Sequence, residues 1–257
     1  MRSGPPSSCA SGGPDAMRRP EELVSGLGEP VAERDEAGWA DLIARRPEGV
    51  VFDCDGLLVD TEPCWTVAES AVFADRGLPY GAAEKALLIG KSVPATVELM
   101  ASLFGEVGND DAIMADVMGM VGQVIIGQAE PMPGAIELVR VLSGRIPLGV
   151  ASNSPRVILN ITLECAGLTG AFGAVIAADE VPIPKPAPDL YLAACRLLGA
   201  DPSASLAFED TWTGATAACT AGMRVVGVPS PESGHFPADL VLASLADLRL
   251  QAWARSL

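Results

Sequence analysis

The sequence predicts an α/β fold, a doubly wound parallel sheet with an inserted block of helices. Three observations carry this. Short apolar runs alternate with helical patterns, as they must where a parallel sheet is covered on both faces. The rhythm breaks between about Trp65 and Glu130, where helical patterns recur with no convincing strand. The first apolar run, Val50–Phe52, stops abruptly at Asp53-Cys54-Asp55-Gly56, with a third acid at Asp60. Acids at the carboxyl end of a strand sit where open α/β sheets place their ligands.

Residues 1–48 differ in composition from the rest. Their opening, MRSGPPSSCASGGPDAMRRPEE, is rich in Gly, Ser and Pro and lacks periodicity, so this extension is expected to be disordered. A short helical pattern near Glu36–Arg45 is the one feature in it. Residues 49–64 and 131–257 are expected to form the core, and residues 65–130 a helical insert over the strand ends. Strands are expected at Val50–Phe52, Pro147–Ala151, Ala174–Ala177, Ser205–Phe208, Arg224–Val228 and Leu240–Leu242. Core helices are expected at Gly134–Leu142, Pro155–Ala166, Pro188–Leu198 and Thr213–Ala221. Pro131-Met132-Pro133-Gly134 closes the insert and opens the next core helix.

Composition excludes several classes of function. A net charge of −16 over 257 residues argues against a nucleic-acid or anionic-membrane binder, whose partners are held by clustered Lys and Arg. Small phosphorylated molecules need only a local positive site and stay admissible. His235 is the only histidine, so a His-ligated zinc site or a Ser-His-Asp triad has almost no material. Acid–base chemistry must fall to carboxylates. The six cysteines form no CxxC pair or regular framework and read as buried free thiols, which suits a cytoplasmic location. No apolar run is long enough to span a membrane, and no signal-peptide core is evident at the N-terminus.

Four segments that follow expected strands form one catalytic inventory: Asp53 and Asp55, then Ser152-Asn153-Ser154, then Lys185 in PKPAPD, then Glu209-Asp210. In a parallel sheet these strand ends share one edge, so the groups can converge. They suggest phosphoryl transfer. Asp53 can attack phosphorus as a carboxylate nucleophile, and Asp55 can protonate the leaving oxygen and later take a proton from water. The Ser152 hydroxyl with nearby backbone N–H groups can hold phosphate oxygens, while Lys185 adds a fixed positive charge. Glu209, Asp210 and Asp53 make an oxygen-only site suited to Mg2+. Each piece has an ordinary alternative: a turn at Asp-Gly, a helix cap at Ser-Asn-Ser, a solvated lysine, polar punctuation at Glu-Asp. Their joint occurrence in order, each after a strand, disfavours all of these together.

The strings FDCDGLLVDTEP, ASNSP, KPAPDLYL and FEDTWTGATAACTAGMRVVGVP resemble the four motifs of the haloacid dehalogenase superfamily, in its β-phosphoglucomutase-like phosphatase branch. The resemblance spans about Val50 to Leu248. It implies a Rossmann-like core with an α-helical cap inserted after the first motif. It also implies Asp53 as nucleophile, Asp55 as acid/base, and Ser152 and Lys185 as the phosphate-binding pair, with a backbone contact from Asn153. Mg2+ would then be held by Asp53, the backbone carbonyl of Asp55, Glu209 and Asp210. Pro184 departs from the pattern, since relatives often carry glycine before this lysine.

Asp55 argues against two reactions of this superfamily, because dehalogenases and phosphonatases lack an acid there. β-Phosphoglucomutases carry a histidine where this chain has Trp65, which favours a phosphatase of sugar or polyol phosphates over a mutase. A non-catalytic binding protein on the same fold is the third reading. On the cap, Thr61, Glu62 and Trp65, with Lys91 further along, are expected near the leaving group. The chain is expected to act as a monomer.

Overall fold

The computed structural model describes residues 31–88, 92–230 and 236–257. Helix α1 (Val31–Ala44) leads into strand β1 (Val50–Phe52) and a short strand β2 (Val59–Asp60). Four helices follow: α2 (Glu62–Asp75), α3 (Ala82–Leu88), α4 (Val93–Phe104) and α5 (Asp110–Gln128). The chain returns through β3 (Glu130–Pro131) and continues as α6 (Ala135–Leu142), β4 (Leu148–Ala151), α7 (Arg156–Cys165) and β5 (Ala174–Ile176). It ends with α8 (Asp189–Leu198), β6 (Leu206–Glu209), α9 (Trp212–Thr220), β7 (Arg224–Gly227), β8 (Leu240–Val241) and α10 (Leu248–Ser256).

Six strands pair in parallel in the order β5-β4-β1-β6-β7-β8. From the central β1 the chain winds outward through β4 and β5. It then crosses back to build β6, β7 and β8 on the other side, so the winding reverses beside β1. Ligands in such sheets collect at the carboxyl edge where this reversal occurs.

The core has two layers because side chains alternate along each strand. Val50 and Phe52 face a cluster with Leu138 and Leu142 of α6, Leu159 of α7 and Trp253 of α10. Val51 faces the opposite cluster, with Leu190 and Tyr191 of α8 and Ala215 and Ala218 of α9. Parallel register sets Phe52 beside Phe208, and their rings stack at 5.0 Å. This contact locks β1 to β6, the two strands that carry the acids.

Helices α2 to α5 lie between β2 and β3, which pair antiparallel through Val59–Pro131 and Asp60–Glu130. They bury a separate apolar cluster built on Cys64, Phe73, Met100, Ile113 and Ile125, with Ile158 of α7 joining it. Gly105 ends α4 in the left-handed conformation (φ 71°), a helix stop that glycine adopts without a Cβ clash.

Two expectations are corrected here. Disorder across residues 1–48 fails for 31–44, which are helical, with Trp39 and Leu42 buried in the main core; residues 1–30 lie outside the described residues. The buried-thiol expectation holds for Cys54, Cys64 and Cys195, but Cys165 is exposed and Cys219 is only half-buried. No helix among the described residues is long and apolar enough to cross a membrane.

Trp39 is 4% exposed, and the Arg249 guanidinium lies 4.6 Å from its ring centroid. Trp39→Ala is therefore expected to lower unfolding free energy by about 3 kcal/mol in urea titration. An unchanged midpoint would show that α1 contributes nothing to the core.

Candidate active site

Strands β1 and β6 end side by side, and the Asp53 N–H donates to the Phe208 carbonyl at 3.0 Å. Asp53 and Glu209 thus leave adjacent strands at one level. The turn after Asp55 then brings the chain back over the site. Gly56 adopts φ 82°, its N–H reaching the Val59 carbonyl at 2.8 Å, and a Cβ there would run into the Asp210 carboxylate. Only glycine fits that position without strain. The turn buries Leu57 and Leu58 and returns Thr61 to Asp55.

Lys185 enters from the loop after β5, where the Lys185–Pro186 peptide is cis. Its backbone is clamped by one side chain: the Lys185 N–H donates to Asn153 Oδ1 at 2.9 Å, and Asn153 Nδ2 donates to the Lys185 carbonyl at 3.2 Å. The ammonium donates to Asp53 Oδ1 and, at 2.6 Å, to Glu209 Oε1. Glu209 is fully buried. Its Oε1 also accepts from the Tyr191 hydroxyl at 2.6 Å, while Oε2 accepts from Thr211 Oγ1 at 3.1 Å and the Asp210 N–H at 3.2 Å. Thr211 caps α9 by accepting from the Gly214 N–H at 3.1 Å, which seats the helix start on Glu209. A Cβ at Gly214 would strike the Glu209 carboxylate.

Asp55 lies in different surroundings. Its Oδ1 accepts from Thr61 Oγ1 at 2.9 Å, and its Oδ2 from Ser152 Oγ at 2.8 Å and Ser154 Oγ at 2.9 Å. Ser152 and Ser154 therefore do not serve as caps for α7, whose N-cap is Pro155 and has no side-chain cap bond. Ser152, expected to face phosphate, here donates to Asp55. Asn153, expected to add a backbone contact, holds the lysine loop with its side chain.

Three carboxyl groups, those of Asp53, Glu209 and Asp210, converge so that one oxygen of each lies within 4.8 Å of the others. One ammonium faces them. Burial pushes the Asp53 carboxyl up to about 8; the Lys185 charge opposes this, and the Glu209 and Asp55 charges reinforce it. Asp210 is also pushed well above the carboxylate range, by burial and then by the Asp53 and Glu209 charges. Burial alone would lower the Lys185 ammonium, but Asp53 and Glu209 outweigh it and raise it instead. Asp210 Oδ1 is buried with no hydrogen-bond partner. An all-oxygen donor set with an orphaned buried oxygen and excess negative charge fits a hard divalent cation. The Asp55 side-chain oxygens are already engaged by hydroxyls and lie outside this cluster.

The residues expected on the substrate side divide. Glu62 is exposed and pairs with Lys85 at 2.9 Å, while Trp65 packs partly buried against the insert's apolar cluster. Lys91 lies outside the described residues. A cavity of about 460 Å3 between α2 and α3, bounded by Thr66, Ser70, Tyr80 and Lys85, includes none of the catalytic candidates. Sequence reasoning placed Ser154 in the inventory without a role, and it missed Thr211 and Tyr191, whose hydroxyl on the buried face of α8 was the available signal.

Comparison with known proteins agrees with this geometry. The profile of haloacid dehalogenase-like hydrolases matches residues 47–222. The chain is 32% identical over 183 residues to the fructose-1-phosphate phosphatase YqaB of Escherichia coli K12, covering 71% of this chain and 97% of that protein. It is 32% identical over 207 residues to hexitol phosphatase B of the same organism, covering 77% and 92%. Among solved structures, a putative β-phosphoglucomutase from Thermotoga maritima superposes with a TM-score of 0.69 at 26% identity, covering 82% of this chain and 100% of that one. CbbY from Rhodobacter sphaeroides in complex with phosphate gives 0.70 at 25% identity, covering 79% and 96%.

The raised Asp53 carboxyl sets the sign of a pH effect. Below about pH 8 it holds a proton that a divalent cation must displace, and the raised Asp210 carboxyl adds to that demand, so divalent-cation affinity is expected to climb with pH. Release of at least one proton makes the rise roughly tenfold or more per pH unit between pH 6 and 7.5. Titration calorimetry at several pH values measures this, and an affinity independent of pH would contradict it.

Proposed function

The chain belongs to the haloacid dehalogenase-like hydrolase family, and we propose that this phosphoric monoester hydrolase is a Mg2+-dependent phosphatase of sugar or polyol phosphates. The observation that carries the reading is the paired environment of Asp53 and Asp55. One carboxyl sits against a buried ammonium among acids, and the other is held by three hydroxyls two residues away.

In the proposed reaction an Asp53 oxygen attacks phosphorus. An acyl phosphate forms on Asp53 as the phosphorus–oxygen bond to the leaving group breaks, and the leaving oxygen takes a proton from Asp55. Water then attacks the same phosphorus and gives its proton to the Asp55 carboxylate. The bond between the Asp53 oxygen and phosphorus breaks, which regenerates the Asp53 carboxylate and frees inorganic phosphate. Asp53, Glu209 and Asp210 would hold Mg2+, with the Asp55 backbone carbonyl, and the ion would screen the repulsion between an anionic nucleophile and an anionic ester.

The chain's other groups act on phosphate and geometry. The Lys185 ammonium, already at Asp53, is placed to meet a phosphoryl oxygen bound there. Asn153 keeps that lysine in register, and Ser152 is shared between Asp55 and an arriving phosphate oxygen. The helices α2 to α5 would act as a cap over the strand ends, with the exposed Glu62 at the start of α2 as the candidate contact to the leaving group. A hydrolase is favoured over a mutase because Trp65 stands, packed partly buried against the insert's apolar cluster, where the mutases carry histidine, and the two relatives at 32% identity are phosphatases.

Phosphate release from a panel of hexose, hexitol and glycerol phosphates with Mg2+ tests this. Asp53→Asn is expected to remove turnover to background, and Asp55→Asn to lower kcat by about 10^2 to 10^4. Conversion of β-glucose 1-phosphate to the 6-phosphate without net phosphate release would instead support the mutase. Full activity in Asp53→Asn would exclude the covalent route.

A further inference from the structure

The reaction above needs the Lys185 ammonium at one point, yet its two carboxylate partners alone do not define that point. An ammonium is a compact charge with three donors on a flexible stem, free to slide toward whichever carboxylate attracts it more. The structure supplies a third contact from below. Tyr191, on the first turns of α8, is wholly buried, and its ring centroid lies 5.1 Å from Lys185 Nζ. Its hydroxyl donates at 2.6 Å to Glu209 Oε1, the same oxygen that takes the lysine at 2.6 Å. One side chain therefore offers an aromatic face to the cation and occupies a lone pair on the carboxylate that competes for it.

Resting on the phosphatase reading, we infer that Tyr191 is a positioning residue of the phosphoryl-transfer site. It holds Lys185 between Asp53 and Glu209 so that the ammonium stays within reach of the transferred phosphate. The ring limits how far the ammonium can drop, and the hydroxyl weakens the pull of Glu209. Loss of the hydroxyl leaves Glu209 Oε1 with a free lone pair, and the lysine is drawn away from Asp53. Loss of the ring also removes the floor. The group does not touch substrate; it acts through Lys185 and Glu209.

Tyr191→Phe keeps the ring and the packing, and Tyr191→Leu removes both features. The discriminating readout is the inhibition constant of inorganic phosphate in the Mg2+-loaded enzyme, because partial unfolding lowers the amount of active enzyme without changing that constant. Tyr191→Phe is expected to raise the phosphate inhibition constant severalfold and lower kcat/KM about tenfold, with an unchanged melting temperature to within a few degrees. A folded Tyr191→Leu is expected to lose more on both measures. If Tyr191→Phe matches the wild type in the inhibition constant and in kcat/KM, the inference is overturned while the phosphatase reading stands. Absence of turnover in the wild type would instead remove the phosphatase reading on which the inference rests.

Discussion

The Lys185 ammonium, wedged between Asp53 and Glu209, is the interaction on which the site depends. Desolvating a charge costs several kcal/mol, and removing one partner of a buried pair leaves the other uncompensated. Here one cation faces three convergent carboxyl groups, so even the complete pair network leaves negative charge in excess. The raised Asp53 and Asp210 carboxyls express that excess. A proton relieves it one unit at a time. A divalent cation would relieve it in one step and bring the cluster with its ammonium to neutrality.

The fold serves this arrangement by keeping its members on rigid elements. Phe52 stacked on Phe208 fixes β1 against β6, and the residues that follow these two rings are the acids that share the lysine. Asn153 ties the loop after β4 to the loop after β5, so the lysine is held from a third strand. Gly56 and Gly214 let two backbone segments approach the carboxylates of Asp210 and Glu209 more closely than any side chain would allow. Asp55, reached by hydroxyls from Thr61, Ser152 and Ser154, is separated from the ammonium although it follows Asp53 by two residues. Two carboxyl groups in contrasting surroundings are suited to two different tasks.

Much of this was legible in the sequence. The core strands are short, mostly apolar runs, and the acids Asp53, Asp55, Glu209 and Asp210 announce themselves by following the apolar stretches of two of them. Strands β2 and β3 were not legible, because two residues show no periodicity. Helix α10 was missed because its apolar residues are interleaved with arginines; the capping Asp247, which accepts from the Arg249 and Leu250 N–H groups, was the overlooked sign. Helix α1 was underestimated because the composition of the first residues dominated the reading of the whole extension. The hydroxyl shell of Asp55 was out of reach for a different reason: Ser154 is 99 residues away from Asp55 in sequence, and only the tertiary fold brings them together. Sequence showed which groups carry charge; it could not show which neutral donors would hold them.

The claim that Asp53 is where the charge surplus meets phosphorus is tested most directly by acid-quenching the enzyme during turnover and mapping covalent phosphate by mass spectrometry. The account predicts a labile acyl phosphate on the peptide carrying Asp53, formed only with Mg2+ present. Phosphate found on another residue, or steady turnover with no covalent phosphate under conditions that preserve acyl phosphates, would contradict it.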